Sequence, residues 1–599
     1  MKPLLTLRKY IIRYKKYVLL GFIFILLSNV FAIVIPPIVR ESVDGVKLLV
    51  DKGELPSFAQ DLPAFFQTSS GLALFAGLLV LGFALLKGVC MFFMRMTIIV
   101  MSRYIEYEQK NDIFKHYQKL GQGFYGKNYT GDLMNRISDD VSKVRMFTGP
   151  AIMYSLNLSC MIIMVVSLMF YTNAEITLYV LIPLPILAIT IYFVSDAMNK
   201  KSDQIQRKLS DITSYAQETF AGIHVVKSYA AEDDYMRNFE ALNGEYKDDN
   251  IALVKINGIF MPAVLSLVGM SILITVYKGG NAVVGGEFSL GNIVEFIIYV
   301  TMLTWPVASL GYVTSLVQRG AASQKRIDEF MNVEPYRDTG KEVIAKLSKC
   351  IEFKNVSFRY PETDVWVLKD VSFVIEANEK FGLIGTTGSG KSTIAKLLVG
   401  VYRPTKGSIM VDDLPIEQYS RINLNKLFGY VAQDVFLFSE TLRDNILFGS
   451  TDATDEKNLK RAVASACLHK EINGFPKGLE TMLGERGITL SGGQKQRTAI
   501  ARALVKNPEI LLIDDGLSAV DTKTEVAIKN SLHDWNKSQT FINISHRVSS
   551  VQDCKHIVFL DNGTIIEQGN HNEMILLNGI YADLFDKQMM VDDQDLRST

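Results

Sequence analysis

Six long apolar runs dominate the first half of the chain, at about 17–39, 71–98, 148–170, 175–196, 256–277 and 291–314. Each reaches the roughly 20 mainly apolar residues that a helix needs to cross a bilayer. The pattern therefore predicts six membrane-spanning helices. Two connections are long, with about 50 residues between the second and third runs and about 60 between the fourth and fifth. These stretches keep a helical rhythm. Within 132–147, Leu133, Ile137, Val141 and Val144 recur every three or four residues and share one face. Helices that run on past the membrane are expected here, with turns near 128–132 and 218–224. A plain solvated helical hairpin is the competing reading.

Past residue 350 the rhythm changes. Short β-rich runs at 351–358 and 371–377 lead into alternating helices and strands, the pattern of a soluble α/β domain. The expected organisation is an amphipathic segment at 1–16, a membrane domain at 17–330, a polar linker at 331–350, the soluble domain at 351–587 and a polar tail at 588–599.

Charge orients the chain. The N-terminus and the stretches 101–147 and 197–255 are rich in Lys and Arg, whereas 171–174 has no base and 278–290 only Lys278. The excess of basic residues on cytoplasmic loops then puts both termini inside. The first apolar run is too long for the core of a signal peptide, so it reads as a retained helix. Residues 3–16 alternate Leu and Ile with bases, which suits a short helix lying on the inner membrane surface. No clear transit peptide precedes them, so a multi-pass protein of a bacterial inner membrane is expected. Acidic and basic residues balance at 63 each, and nothing in that balance points to nucleic acid. Five cysteines, without metal-type spacing, read as reduced thiols.

The chemistry lies in the soluble half. Residues 385–393 read Gly385, Thr386, Thr387, Gly388, Ser389, Gly390, Lys391, Ser392, Thr393, between a strand-like run and a helical one. That is the context of a phosphate-binding loop: glycines let backbone N–H groups face the phosphates of ATP, Lys391 reaches the β- and γ-phosphates, and the Ser392 hydroxyl ligates Mg²⁺. About 120 residues later an apolar run ends in Asp514, at the strand end where such sheets bind ligands, and Asp514 is a second candidate Mg²⁺ ligand. Between them, Ser491, Gly492, Gly493 and Gln494 open a helix whose N–H groups suit an anion.

This last run, just upstream of the Asp514 strand, resembles the signature sequence of ATP-binding cassette proteins. The whole chain resembles the bacterial multidrug and lipid exporter type of half-transporter. The resemblance implies a polytopic α-helical membrane domain of six transmembrane helices, type IV exporter-like, followed by an α/β P-loop ATP-binding cassette. It further implies that Tyr360 stacks on adenine, that Gln433 touches Mg²⁺ and the attacking water, that 517–521 crosses a dimer interface, and that His546 contacts the γ-phosphate. In that family two cassettes meet head to tail, one chain's phosphate loop facing the other's signature.

One position departs. The family usually has Glu after the Mg²⁺ aspartate, as the base that polarises water. Here it is Asp515, shorter by one methylene, about 1.5 Å. The candidate catalytic set is therefore Asp515, His546 and Gln433, with a slow site at this chain's own loop. Intact Ser491–Gln494 beside a weak Asp515 favours a heterodimer with a second half-transporter over a homodimer. Export of amphipathic or drug-like compounds is the expected function. Flipping of a lipid or lipid-linked compound is the alternative within transport, and an ATP-gated regulatory membrane module is the alternative from another class. Glu295, Lys87 and Arg95 are ionisable groups inside spans and hence candidate substrate contacts.

Overall fold

Each apolar run lies in a helix much longer than a bilayer requires. In the computed structural model these are α1 (Lys15–Lys52), α2 (Ser69–Lys119), α3 (Thr130–Thr172), α4 (Ala174–Ala221), α5 (Glu232–Val284) and α6 (Leu290–Met331). Residues 2–598 are described, except 337–339, 362, 451–453, 518–519, 521 and 536–538; side chains are also undescribed at 2, 308, 522, 533–535 and 591–598. At 1.5 Å per residue, the 51 residues of α2 extend about 75 Å, more than twice the apolar thickness of a membrane. Apolar composition marks only the lipid-length part of each helix. In the polar continuations of α2 and α3, Ile105, Ile113, Val141 and Val144 are buried, whereas those of α4 and α5 are tied by Lys201 and Lys208 to Asp249 at 2.7 and 3.0 Å.

Local sequence ends these helices where turns were expected. After α2 comes a short helix, Gln122–Lys127, and the chain breaks at Asn128 before α3. α4 stops at Ala221 with Gly222 as its cap, and a single short helix, Ile223–Ser228, leads to α5. Inside α3, Arg136–Asp140 and Phe147–Ala151 are π-helical, the second around Pro150, whose missing N–H disturbs the helical ladder.

The described chain divides into two compact units. The first is Met1–Gln118 with Gly131–Val333, and the second is Lys119–Thr130 with Glu334–Thr599. In the first, α6 is the central helix. Its Phe296, Tyr299, Val300 and Leu303 are fully buried and pack with Val165 and Met169 of α3 and Val180 and Leu187 of α4. Below them, buried Asp140 of α3 accepts hydrogen bonds from Arg326 of α6, one at 3.0 Å to Nε and a second from the guanidinium terminus. The N-terminal segment is a 3₁₀ turn (Lys2–Leu7) and a short helix (Arg8–Arg13). Tyr10 donates to Asp112 at 2.6 Å and Arg13 pairs with Glu108 at 2.8 Å, which pins the segment along α2.

Glu295 is 1% exposed and fully engaged. It accepts from Arg40 of α1 at 3.2 Å, from Tyr299 at 2.9 Å and from Asn292 at 3.4 Å. Glu295 is therefore a tie between α1 and α6, and the expectation of a substrate contact there is not supported. Replacing Glu295 with Gln keeps the shape but removes the buried one of Arg40's two carboxylate partners, leaving Glu41 at 3.4 Å. The expected loss is about 1–3 kcal/mol of stability, read as a lower thermal midpoint in detergent, with substrate preference unchanged. Lys87 is half-buried and Arg95 exposed, and among the described residues neither forms an ion pair.

The second unit is built on two sheets. One is antiparallel, with β1 (Cys350–Arg359), β2 (Trp366–Glu376), β4 (Lys406–Val411) and β5 (Leu414–Pro415) in the order β2-β1-β4-β5. The other contains β3 (Lys380–Gly385), β6 (Phe428–Val431), β7 (Ile510–Asp514), β8 (Thr540–Ser545), β9 (His556–Asp561) and β10 (Thr564–Gly569). Its order is β10-β9-β3-β8-β7-β6, parallel except for the β10–β9 pair. β7 is buried at all five positions, as a central parallel strand must be. All five cysteines are free thiols.

Candidate functional site

The strand order decides what meets what. β3, β8, β7 and β6 are neighbours and parallel, so the loops at their carboxyl ends converge on one edge of the sheet. β3 delivers the loop at 385–393, β8 delivers His546, β7 ends in Asp514 and continues to Asp515, and β6 leads to Gln433. Four motifs spread over 160 residues of sequence are thereby gathered into one site.

The loop turns sharply between β3 and α7 (Lys391–Leu398). Gly390 has φ +104°, and a Cβ there would lie 2.8 Å from the Leu368 side chain. A Cβ on Gly385 would lie 1.9 Å from the Leu560 carbonyl oxygen. Only glycine permits this close approach. Lys391 folds back over the arch, donating from Nζ to the carbonyls of Gly385 (2.8 Å) and Thr386 (2.7 Å). Ser389 is buried, and its Oγ has no hydrogen-bond partner among the described residues. A glycine-rich arch with a buried, unsatisfied hydroxyl and one cation fits a polyphosphate.

Oxygen atoms gather beside the loop. Ser392 Oγ donates to Asp514 Oδ1 at 3.1 Å and lies 3.4 Å from Gln433 Oε1. This all-oxygen donor set fits Mg²⁺, which favours few protein ligands together with phosphate oxygens and water. Burial pushes the Asp514 carboxyl above its ordinary pKa and the charge of Asp515 adds to this, while the Ser392 hydrogen bond partly offsets both. Burial also pulls the Lys391 ammonium below its ordinary pKa, against the attraction of Asp515 and Asp514. Burial thus disfavours the charged form of both groups.

A pH dependence follows. Protonated Asp514 cannot ligate a cation, and its folded-state pKa is raised. Mg²⁺-dependent nucleotide affinity should therefore begin to fall, on acidification, at a pH above the ordinary aspartate range, whereas Mg²⁺-free affinity should show no such limb. The ionised carboxyl also weakens the folded state as pH rises through that same pKa, and a bound cation offsets this. Titration of a fluorescent ATP analogue with and without Mg²⁺ across acid pH measures the difference.

Asp515 sits at φ +52°, in the left-handed region that Asp tolerates better than most residues. Its N–H donates to the Ile544 carbonyl at 2.8 Å. His546 Nδ1 lies 2.9 Å from Asp515 Oδ1 and 3.1 Å from Oδ2. The two candidate catalytic groups therefore meet directly. Tyr360 is beside the same loop, its hydroxyl 2.9 Å from Thr393 Oγ1 and its ring edge-on to Phe358 and Tyr402.

Ser491 caps α8 (Gly492–Leu504): Ser491 Oγ accepts from the Gln494 N–H at 3.4 Å, and the Ser491 N–H donates to Gln494 Oε1 at 3.0 Å. Ser491 and Gly492 are exposed, and among the described residues Ser491 and Gln494 bond within their own helix and not to the loop at 385–393. Of the run 517–521, Leu517 and Val520 are buried, and Ser518, Ala519 and Asp521 lie outside the described residues. Asp561 lies outside the sequence motifs. It accepts from Thr386 Oγ1 at 2.6 Å and so anchors the front of the phosphate loop. The signal that found Asp514, an apolar run ending in Asp at a strand's carboxyl end, is present at 556–561 too.

Comparison with known proteins decides the family. Residues 18–307 match the ABC transporter transmembrane region and residues 368–518 match the ABC transporter family. The chain is 37% identical to the probable multidrug resistance ABC transporter ATP-binding/permease protein YheI of Bacillus subtilis, over 80% of this chain and 82% of that one. The chain belongs to the ABC transporter family. It is also 32% identical to the ATP-dependent lipid A-core flippase of Photobacterium profundum (84% and 86% covered). Against the multidrug resistance-like ATP-binding protein MdlA of Escherichia coli it is again 32% identical (81% and 82% covered). A solved bacterial Atm1-family ABC exporter with ATP bound shares the fold, with TM-score 0.78 over 96% of this chain and 98% of that one, at 24% identity. The chain is thus an ATP-hydrolysing exporter of the multi-pass membrane kind, with a fold that implies dimerisation.

Proposed function

We propose that this ABC exporter moves amphipathic or drug-like compounds out across a bacterial inner membrane, as one half of a heterodimer, with both termini cytoplasmic. The observation that carries the reading is the meeting of Lys391, Ser392, Gln433, Asp514, Asp515 and His546 at one sheet edge in a chain with six helices long enough to span a membrane.

In this reading the loop at 385–393 holds the phosphates of ATP, Lys391 neutralises the β- and γ-phosphates, and Tyr360 lies against the base. Ser392, Gln433 and Asp514 hold Mg²⁺, which supplies charge neutralisation at the phosphate oxygens when bound. Asp515 orients the attacking water, and its bond to His546 fixes the carboxylate and brings the imidazole to the γ-phosphate side. The Ser491–Gln494 end of α8, exposed at Ser491 and Gly492, serves a partner chain's loop, since among the described residues Ser491 and Gln494 make no bond to their own.

The short Asp515 supports the heterodimer. A misplacement of about 1 Å can cost roughly 100-fold in rate, so two copies of this chain would make two slow sites. One copy beside a partner carrying Glu makes one slow site and one fast site. ATPase activity of the purified chain, alone and co-purified with a second half-transporter, tests this. Low activity alone and high activity in the pair is expected. Brisk, substrate-stimulated turnover by a stable homodimer would overturn the heterodimer. Multidrug and lipid A names among the relatives support both drug-like and lipid cargo. Drug-like cargo is preferred because the relative with the highest quoted identity, 37%, bears a multidrug name.

A further inference from the structure

A chamber of about 620 Å³ opens between α3, α4, α5 and α6 of the membrane unit. Along α6 it is lined by Trp305, Ser309, Tyr312, Ser315 and Arg319, at steps of four, three, three and four residues, which is one continuous face of a helix. Fourteen residues separate the first from the last, about 21 Å along the axis. The chamber is therefore long and graded. Trp305, 72% exposed, lies inside the sixth apolar run and offers ring surface. Tyr312 meets Tyr154 of α3 edge to face at 6.3 Å. At the opposite end are Asn199, Asn257 and Arg319, beyond or at the margins of the apolar runs, and in the orientation proposed above this end is cytoplasmic.

Arg319 is the one charged group among the described residues that line this chamber. It is exposed, and among the described residues it forms no ion pair and no side-chain hydrogen bond. The adjoining recess, which shares Ser195, Asn199, Gly311 and Ser315, contains one carboxylate, Asp196. That carboxylate is already paired with Lys200 at 2.8 Å. An uncommitted guanidinium with amides beside it is a ready partner for a carboxylate or phosphate, through its planar fork of donors. Aromatic faces alone would also attract cations, but a guanidinium at the mouth repels them.

We propose that this chamber binds amphiphiles carrying one anionic head group, a carboxylate or phosphate, with the head on Arg319 and the apolar body along Tyr312 and Trp305. The proposal rests on the export reading and narrows its cargo. It also sets the direction of entry: head at the cytoplasmic end and body toward the membrane centre, the posture of a molecule leaving the inner leaflet.

The chain has three tryptophans, Trp305, Trp366 and Trp535. With Trp366→Phe and Trp535→Phe, the full chain in phosphatidylcholine vesicles reports from Trp305 alone. The probes are dansyl-aminoundecanoic acid and its methyl ester, which differ in charge and share the fluorophore, read by energy transfer from Trp305. The acid should bind about tenfold or more tighter than the ester, the loss expected for one hydrogen bond to a charged group. Arg319→Gln should remove that preference while leaving ester affinity unchanged, which also reports that the variant is folded, and Arg319→Lys should retain it. A dansyl alkyl phosphate should behave as the acid does. Equal affinity for acid and ester, a preference that survives Arg319→Gln, or no saturable transfer from Trp305 would each overturn the proposal. These outcomes leave the export reading intact, because that reading fails only through loss of ATP-driven transport.

Discussion

Replacing Lys391 with Ala should lower ATP turnover about 100- to 1,000-fold, the effect of removing one preorganised donor from a developing charge. Two roles compete for this side chain. Its ammonium now bonds to the carbonyls of Gly385 and Thr386, so it could simply brace the loop. But burial disfavours its charged form in the folded protein. A group whose pKa is lowered weakens the fold while it is charged, and its contribution improves only as pH rises through the lowered value. Removing it should therefore leave thermal stability nearly unchanged while activity collapses. Steady-state ATPase rates and a melting curve on the same preparation separate the two roles. A large fall in stability with little change in turnover would make Lys391 a brace.

Asp515→Glu should raise hydrolysis at this chain's own loop by about 100-fold, the factor that recovering roughly 1 Å of reach can supply. Two effects oppose each other. The added methylene carries the carboxylate toward the water position. It also moves it off His546, now 2.9 Å away, and Glu is less at ease than Asp at φ +52°. The backbone term is set against local bonds such as Asp515 N–H to Ile544 O, which hold the residue regardless of side chain. Reach should win. Single-turnover hydrolysis by the wild type and the variant, each bound to the same partner, is the measurement. An unchanged rate would mean that Asp515 already serves as an adequate base.

Much of the architecture is legible in the sequence, for physical reasons. Membrane spans announce themselves because a helix that crosses lipid must be long and apolar, and all six runs lie in such helices. The phosphate loop is legible because its glycines, lysine and serine are consecutive. What was illegible is pairing at a distance. Glu295 meets Arg40 across 255 positions, and Thr386 meets Asp561 across 175. No local pattern encodes either, so Glu295 read as a substrate contact and Asp561 went unread. The true lengths of α2 and α5, 51 and 53 residues, were also hidden. Past the membrane, buried side chains in α2 and ion pairs in α5 hold the helix, and hydropathy no longer marks its end. Arg319 is illegible in the sequence for a related reason. It lies five residues beyond the sixth apolar run, and only the fold aligns it with Trp305 and Tyr312 on one wall.

The most direct test of the account is transport by the co-purified pair in sealed proteoliposomes, with dansyl-aminoundecanoic acid as cargo and the cassettes facing outward. ATP with Mg²⁺ should drive the probe to a higher concentration inside than outside, and Lys391→Ala should reduce that accumulation. If the probe instead reaches only equal concentration on both sides, with ATP merely changing how fast it does so, the protein is a gated passage and not an ATP-driven exporter.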